Sequence, residues 1–346
     1  MAQTASMTAT AQSAGKPKVV VIQGWGTFGE YGEREILERA GCEVVVAQAR
    51  TEDEAIAAAQ DADGLIYTSG ISRRFMESLP RCKVIARSAI GMDNVYGVEI
   101  ATERGIVLCN VPDVFIDEVA NQTMALLLGC VRQIIPSALW VREGNWGRPG
   151  AQRPGDRIHR VTGETLGIIG FGNIGRAVAQ RAAGFGLRII ANDPYLSPDV
   201  FARYGVRQAS LAQVVQDADF ISLHTPLTDE TRHLIGAAEF ALMKPDAILI
   251  NTSRGPVVDE PALIAALRSG QILGAGLDVT EQEPVDPANP LLTMPNVIVT
   301  PHIASLSEWA NGERRRRTAY EVAAVLTGHR PRAVWNPEVL ERLNLK

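Results

Sequence analysis

The sequence has no surplus of positive charge: 34 Lys and Arg stand against 39 Asp and Glu, a net charge of −5. Neutralising a phosphate backbone needs such a surplus, so nucleic acid is excluded as the default partner. Its one basic cluster, Arg314-Arg315-Arg316-Arg317, reads as a helix face making ion pairs or lining an interface, because neighbouring helical side chains point in different directions. Cysteine is scarce as well. Cys42, Cys82, Cys109 and Cys130 sit singly in apolar stretches without C-x-x-C spacing, which argues against a disulfide frame or a thiolate metal site and points to reduced thiols in the cytoplasm. Long hydrophobic runs are missing too. Residues 123–130 are apolar but bounded by Asn121 and Arg132, far short of the ~20 residues of a membrane span, so no membrane partner is expected. Residues 1–16 lack both an apolar h-region and an arginine-rich amphipathic pattern, and read as a disordered tail rather than a signal or transit peptide.

What is present is a chain of 346 residues, too long for one core and suited to two domains of ~100–200 residues with a cleft between them. From residue 18 onward, β-branched runs at 19–22, 43–46, 64–67, 84–86 and 106–109 alternate with amphipathic helices. Strands apolar on both faces and separated by helices imply a parallel sheet with helical crossovers. This first α/β domain ends near Pro112. Residues 118–134 then read as one long apolar helix closed by Pro136, and the Gly/Pro/Arg-rich stretch 144–154 marks a boundary. A second series of strands follows at 165–169, 188–192, 220–223, 247–251, 274–278 and 297–299, the pattern of a doubly wound dinucleotide fold. The segment 306–346 is too small for a domain and must pack on one of the others.

Two G-x-G-x-x-G loops follow strands: Gly24-Trp25-Gly26-Thr27-Phe28-Gly29 and Gly170-Phe171-Gly172-Asn173-Ile174-Gly175. Pyrophosphate binding needs a helix next, then a strand ending in an acid about 20 residues on that accepts from the ribose hydroxyls. The second loop supplies a helix at 176–183, a strand at 187–191 and Asp193. The first runs into Glu30-Tyr31-Gly32-Glu33 and its next strand ends without an acid, so it reads as a turn shaping one wall of the cleft. Asp193 favours NAD, since a carboxylate accepts from a free 2′-hydroxyl and repels a 2′-phosphate; the bland alternative is that it caps the turn before Pro194.

Three polar segments should emerge at the carboxyl ends of strands in the second series, where such folds bind ligands. They are Asn251-Thr252-Ser253-Arg254-Gly255, Asp278-Val279-Thr280-Glu281-Gln282-Glu283-Pro284 and Thr300-Pro301-His302-Ile303-Ala304. Together they contribute an Arg, an acid and a His. Hydride transfer to a ketone builds alkoxide charge, which a guanidinium stabilises and an imidazolium quenches by proton transfer. A carboxylate beside the imidazole keeps it protonated; Glu281 and Glu283 are both candidates.

On these residues the chain resembles the D-isomer-specific 2-hydroxyacid dehydrogenase family over nearly its whole length. Further marks are Arg87 through Gly91-Met92-Asp93-Asn94, Gly105-Ile106 to Asn110-Val111-Pro112, and Gly163-Glu164-Thr165-Leu166-Gly167-Ile168-Ile169-Gly170. Asp193-Pro194-Tyr195-Leu196 and Arg142-Glu143-Gly144 make it most similar to the C-terminal-binding-protein-like and glycerate- and phosphoglycerate-dehydrogenase-like branch. The resemblance implies a flavodoxin-like substrate domain of residues 17–114 and 306–346 and a Rossmann NAD-binding domain of residues 115–305. It implies that Arg254 clamps the substrate carboxylate and polarises the C2 oxygen, that His302 is the general acid/base and that Glu283 orients it. Related formate dehydrogenases, which move no proton, carry Gln at the place of Glu283.

For the cofactor the resemblance implies Gly170, Gly172, Asn173, Ile174 and Gly175 at the pyrophosphate, Asp193 at the ribose and His224-Thr225-Pro226 along the adenosine. Thr252 and Asp278 are expected near the nicotinamide and Thr123 near the phosphates. His224 ends a strand that chain order assigns to the adenine half, and so lines a wall rather than doing acid/base work. For the substrate it implies Arg87, its charge directed into the cleft, the amides around Gly91, and Ser69 and Gly70. The chain departs from the family at Ala89, where a second Gly is usual, and at Ala304-Ser305-Leu306, where that branch has a Trp. A homodimer with the helix from Glu118 at or near the contact is a further implication. The activity so implied is reversible hydride transfer between NADH and C2 of a small 2-hydroxy or 2-keto acid. Two alternatives stay open: a NAD(H)-gated scaffold or co-repressor, and oxidation of an inorganic oxyanion such as phosphite.

Overall fold

The computed structural model describes residues 15–23, 28–152, 154–155 and 158–346. The expected tail falls almost wholly outside the described residues, as do Gly24, Trp25, Gly26 and Thr27 of the first glycine loop. The chain divides into two units, one of residues up to Pro112 together with Asn311–Lys346, the other Asp113–Ala310.

In the first unit the runs of Val and Ile form β1 (Lys18–Gln23), β2 (Glu43–Gln48), β3 (Gly64–Tyr67), β4 (Val84–Ala86) and β5 (Val107–Cys109), connected by α1 (Glu33–Arg39), α2 (Glu52–Ala59), α3 (Arg73–Glu77) and α4 (Val98–Glu103). All pairs are parallel and the order is β2-β1-β3-β4-β5. Alternate residues of β1 enter opposite cores, Val20 and Ile22 one, Val19 and Val21 the other, as the two-residue period of a strand dictates. Helix starts are set locally: Thr51 and Glu54 form a capping box at α2, and the Ser72 hydroxyl accepts from Phe75 N–H at α3.

The second unit opens with α5 (Ile116–Val131) and α6 (Ile134–Arg142). Here the expectation of one helix closed by Pro136 is corrected. Gln133 takes φ 50, in the left-handed region, and the two helices bend by 61°. Pro136 is the third residue of α6, inside the first turn, where a missing N–H breaks no intrahelical bond. Helix α5 buries Val119, Thr123, Met124, Leu126 and Leu127 and packs on its own sheet: a Cβ on Gly129 would stand 3.0 Å from Ile298. Helix α6 buries nothing and exposes Ile134, Ile135 and Leu139.

Seven parallel strands follow: β6 (Thr165–Ile169), β7 (Arg188–Asn192), β8 (Arg207–Gln208), β9 (Phe220–Leu223), β10 (Ile248–Asn251), β11 (Gly274–Leu277) and β12 (Val297–Val299). Their helices are α7 (Asn173–Gly184), α8 (Pro198–Arg203), α9 (Leu211–Asp217), α10 (Ala237–Leu242) and α11 (Glu260–Ser269), before α12 (Glu308–Leu326). The order β12-β11-β10-β9-β6-β7-β8 is doubly wound, reversing between β6 and β9. Strand β8 went unforeseen because its two residues are exposed and polar. Since every strand is parallel, all seven carboxyl ends share one edge.

Candidate active site

Strand β6 is buried at all five residues and delivers the chain into the second glycine loop. Gly170 has φ 89, and a Cβ there would lie 2.7 Å from the His224 carbonyl. Gly175 is buried, and its Cβ would lie 2.3 Å from the Gly170 oxygen; its place is steric, letting α7 close on β6, and not contact with a ligand. Gly172 is the opposite case. It is exposed, precedes the first residue of α7, and a Cβ would meet nothing within 4 Å. The open space over Gly172, at the amino end of a twelve-residue helix, is where backbone amides and the helix dipole favour a phosphate. Asn173 is exposed and Ile174 half-buried beside it.

Asp193 follows β7. One oxygen accepts from Phe171 N–H at 2.9 Å and the other from Tyr195 N–H at 3.1 Å, so it fixes the glycine loop and the turn together, and each oxygen keeps a second lone pair. Strand β9 lies between β6 and β10, so it stands across β6 from β7 and the assignment of His224 to the adenine half is corrected. The His224 ring bonds Ser222 Oγ at 2.8 Å, and desolvation pushes its pKa down to about 3. A histidine held neutral is no proton donor near pH 7. The hydroxyl of Thr225 is buried without a hydrogen-bond partner, and Pro226 is exposed next to it.

Residues on β10, β11 and β12 are neighbours because their strands are. At the end of β10 the Asn251 side chain accepts from Ser253 N–H at 3.0 Å and donates to the Arg254 carbonyl at 2.9 Å, which shapes the turn that carries Arg254. Asn251 opens the first polar segment, but its part in shaping the turn is not assigned from sequence, although an Asn two residues before a Ser is the signal of such a turn. Arg254 Nη1 donates to the Ser253 carbonyl at 2.8 Å. A Cβ on Gly255 would sit 1.8 Å from the Thr280 carbonyl oxygen, so only glycine lets the β10 loop lie against the β11 loop.

After β11, the buried carboxylate of Asp278 accepts from Thr300 Oγ1 at 2.5 Å, Ile303 N–H at 3.0 Å and Ala304 N–H at 2.8 Å. Its carbonyl accepts from His302 N–H at 2.8 Å. These bonds hold His302 at φ 52, a backbone state that costs a non-glycine residue roughly 1–3 kcal/mol. His302 Nδ1 meets Glu283 Oε2 at 2.7 Å, and the other Glu283 oxygen accepts from Thr280 N–H at 3.3 Å. Because an ionised carboxylate only accepts, Nδ1 carries the proton and Nε2 is left for a substrate. The Glu283 bond raises the His302 pKa, against burial and the charge of Arg254. Glu281 is engaged elsewhere, with His233 at 2.6 Å, so the choice between the two acids falls to Glu283. A pocket of about 540 Å³ adjoins the pair, walled by Pro284, Val285, Leu292 and Val299.

Two expected contacts are corrected. Thr123 is fully buried, donating to the Val119 carbonyl at 2.8 Å and meeting Thr252 Oγ1 at 2.8 Å; a side chain with no exposed surface touches no phosphate, and Thr252, only 8% exposed, has Thr123 as its partner. Arg87, in the first unit, does not direct its charge outward. It is 3% exposed, and its guanidinium donates to the Thr68 carbonyl at 2.6 Å, Asn94 Oδ1 at 2.5 Å and the Gly91 carbonyl at 3.4 Å. Two backbone carbonyls and the Asn94 side-chain oxygen take bonds from the buried guanidinium, and Arg87 thereby ties the Thr68–Gly70 loop to the Gly91–Asn94 loop. Ser69 and Gly70 are exposed and line a pocket of about 390 Å³ with Tyr67 and Asn94.

Comparison with known proteins agrees with this geometry. Residues 124–304 match the family model described as "D-isomer specific 2-hydroxyacid dehydrogenase, NAD binding domain". The chain is similar to a glyoxylate reductase of Korarchaeum cryptofilum, 41% identical over 285 residues that cover 82% of this chain and 85% of the relative. It is 42% identical to a D-3-phosphoglycerate dehydrogenase of Methanocaldococcus jannaschii, over 85% of this chain and 55% of that one. Among solved structures, an NADPH-dependent glyoxylate/hydroxypyruvate reductase from Sinorhizobium meliloti, in complex with NADP and malonate, superposes with a TM-score of 0.81 at 31% identity, covering 93% of this chain and 97% of that one. On the family match, on these relatives and on two parallel α/β sheets in the order found, the chain belongs to the D-isomer-specific 2-hydroxyacid dehydrogenases.

Proposed function

We propose that this chain reduces a small 2-keto acid of glyoxylate or hydroxypyruvate size, reversibly, with NADH in preference to NADPH. The observation that carries the reading is the 2.7 Å bond from His302 Nδ1 to Glu283 at the carboxyl edge of a dinucleotide-binding sheet. Read across that edge, the strands present His302, Glu283, Arg254, Thr225, the Gly170 loop and Asp193 in that order, acid–base chemistry at one end and a ribose acceptor at the other.

The residues present fit a nicotinamide dinucleotide. Gly172 and the amides that follow would hold the pyrophosphate, Asp193 the ribose hydroxyls, and the partnerless Thr225 hydroxyl a polar group of the cofactor. NADH supplies the hydride. Around the substrate, the Arg254 guanidinium binds the carboxylate and stabilises negative charge growing on the C2 oxygen. His302, kept protonated by Glu283, gives that oxygen a proton from Nε2 and takes it back in oxidation. Glu283 holds the ring orientation and the charge, and Asp278 fixes the loop. The free lone pairs of Asp193 support NAD over NADP.

A homodimer is part of the proposal, and its surface moves from α5 to α6, whose Ile134, Ile135 and Leu139 are each about half exposed, with Trp146 79% exposed beyond it. The scaffold reading is not favoured, since relatives at about 40% identity carry the names of reductases and dehydrogenases. The test is NADH consumption across glyoxylate, hydroxypyruvate, pyruvate and bulkier 2-keto acids. Turnover of at least one of the small acids is expected; no turnover of any, with NADH shifting the oligomeric state instead, would favour the scaffold.

A further inference from the structure

A second group of polar side chains lies wholly within the first unit, where its strand order reverses between β1 and β3. A doubly wound sheet opens a crevice at such a point. In this chain it is a pocket of about 310 Å³ lined by Gln23 at the end of β1, Thr68 and Ser69 after β3, Ser88 after β4, and Arg314 and Arg315 of α12.

The arginines differ in what balances them. Arg315 lies 3.7 Å from Glu33 and 4.0 Å from Glu30 and stacks on Tyr31, and Arg316 pairs with Glu313 at 3.0 Å. Glu33 itself is fully buried, and it accepts from Gly29 and Tyr31 N–H. Arg314 has no carboxylate within 4.0 Å among the described residues. Its hydrogen bond to the Ser88 carbonyl is long at 3.3 Å, and its Nε is buried with no acceptor. Burial and the neighbouring Arg315 both work against its charge. A guanidinium keeps its proton throughout the physiological range, so a half-buried one with an orphaned N–H leaves a desolvation cost that no carboxylate among the described residues offsets.

We propose that this pocket binds an anionic group, a carboxylate or a phosphate, with Arg314 as its charged ligand and Thr68 and Ser69 as its polar lining. Such a group accepts two parallel bonds from the guanidinium fork and satisfies Nε. It has two sources: a free oxyanion, or a second acidic group on the 2-keto acid. The latter rests on the function proposed above; the former does not.

The test titrates inorganic phosphate calorimetrically into the full chain with NADH saturating, for wild type, Arg314→Leu and Arg314→Lys. Phosphate affinity should fall at least about tenfold in the Leu variant and recover partly in Lys, which keeps the charge. Arg314→Gln replaces the Leu variant if that one fails to fold. In parallel, kcat/KM is measured for oxaloacetate and for 2-oxobutanoate, which has the same chain length without the second carboxylate. A fall of at least about tenfold in their ratio in Arg314→Leu identifies the substrate's own second acid as the occupant. Lost phosphate affinity with an unchanged ratio identifies a free anion. If neither phosphate affinity nor the ratio depends on Arg314, the proposal is overturned. If wild type reduces neither keto acid, the phosphate titration alone decides this site, and the function above is wrong only if glyoxylate and hydroxypyruvate are not reduced either.

Discussion

Replacing Glu283 by Gln keeps the side-chain length and removes the charge that holds His302 protonated. The contact is short, 2.7 Å, but the two side chains are 47% and 39% exposed. Solvent screens such a pair, so its contribution is about 1–1.5 kcal/mol rather than the ~3 kcal/mol at the top of the range for charged hydrogen bonds. At the transition state that is about a tenfold loss of rate. The direction with pH follows from the raised His302 pKa, whose largest cause is the Glu283 bond. Reduction uses the imidazolium, so it is fastest below the folded pKa and declines as pH rises through it. Oxidation uses the neutral ring and declines as pH falls through it. Glu283→Gln should move both limbs to lower pH. Reduction of a 2-keto acid should then drop about tenfold near pH 8 and less near pH 6, while oxidation of the 2-hydroxy acid near pH 6 gains relative to it. The assay is NADH absorbance in both directions across pH. Glu281→Gln serves as control, because its carboxylate faces His233. An unmoved profile in Glu283→Gln, or an equal displacement in Glu281→Gln, would refute the assignment.

The glycine loop gives a paired prediction. Gly172→Ala puts a methyl into open space, so it should fold normally and bind NADH at least about tenfold more weakly, whereas Gly175→Ala drives a methyl to 2.3 Å from the Gly170 oxygen and should cost about 2 kcal/mol or more of stability in denaturant titration. Arg254→Ala should lose at least ~100-fold in kcat/KM for reduction, with NADH affinity measured by fluorescence close to wild type; a near-full rate would remove Arg254 from the mechanism. Asp193→Ala should raise the NADPH-to-NADH ratio of kcat/KM at least about tenfold, and an unchanged ratio would leave Asp193 as a residue of the turn alone.

The two sheets were legible because buried strands are dense in Val and Ile and their helices amphipathic; β3, β4, β6, β7, β9 and β12 begin and end where the residue pattern says. The two glycine loops could be told apart by Asp193. The first loop's described part adds a physical reason, since the Glu33 carboxylate already fills the Gly29 and Tyr31 amides that an anion would want. Other features depended on three dimensions. Spacing alone left Glu281 and Glu283 equivalent, and only the fold turns one to His233 and the other to His302. The break between α5 and α6 rests on the left-handed Gln133, a conformation that an unremarkable side chain does not announce. The charge of Arg87 is expected to point into a cleft, yet carbonyls from two loops of its own unit keep it buried. In sequence Arg314 is one member of a helix face expected to make ion pairs or line an interface, and only the fold shows that Arg315 and Arg316 have carboxylate partners while Arg314 has none among the described residues.

The most direct measurement follows deuterium from C4-deuterated NADH during turnover with hydroxypyruvate, in wild type and in His302→Ala. Deuterium is expected at C2 of the D-2-hydroxy acid in wild type, and transfer slowed at least ~100-fold in the variant at unchanged NADH affinity. Label absent from C2, or transfer as fast without the imidazole as with it, would contradict the proposed function.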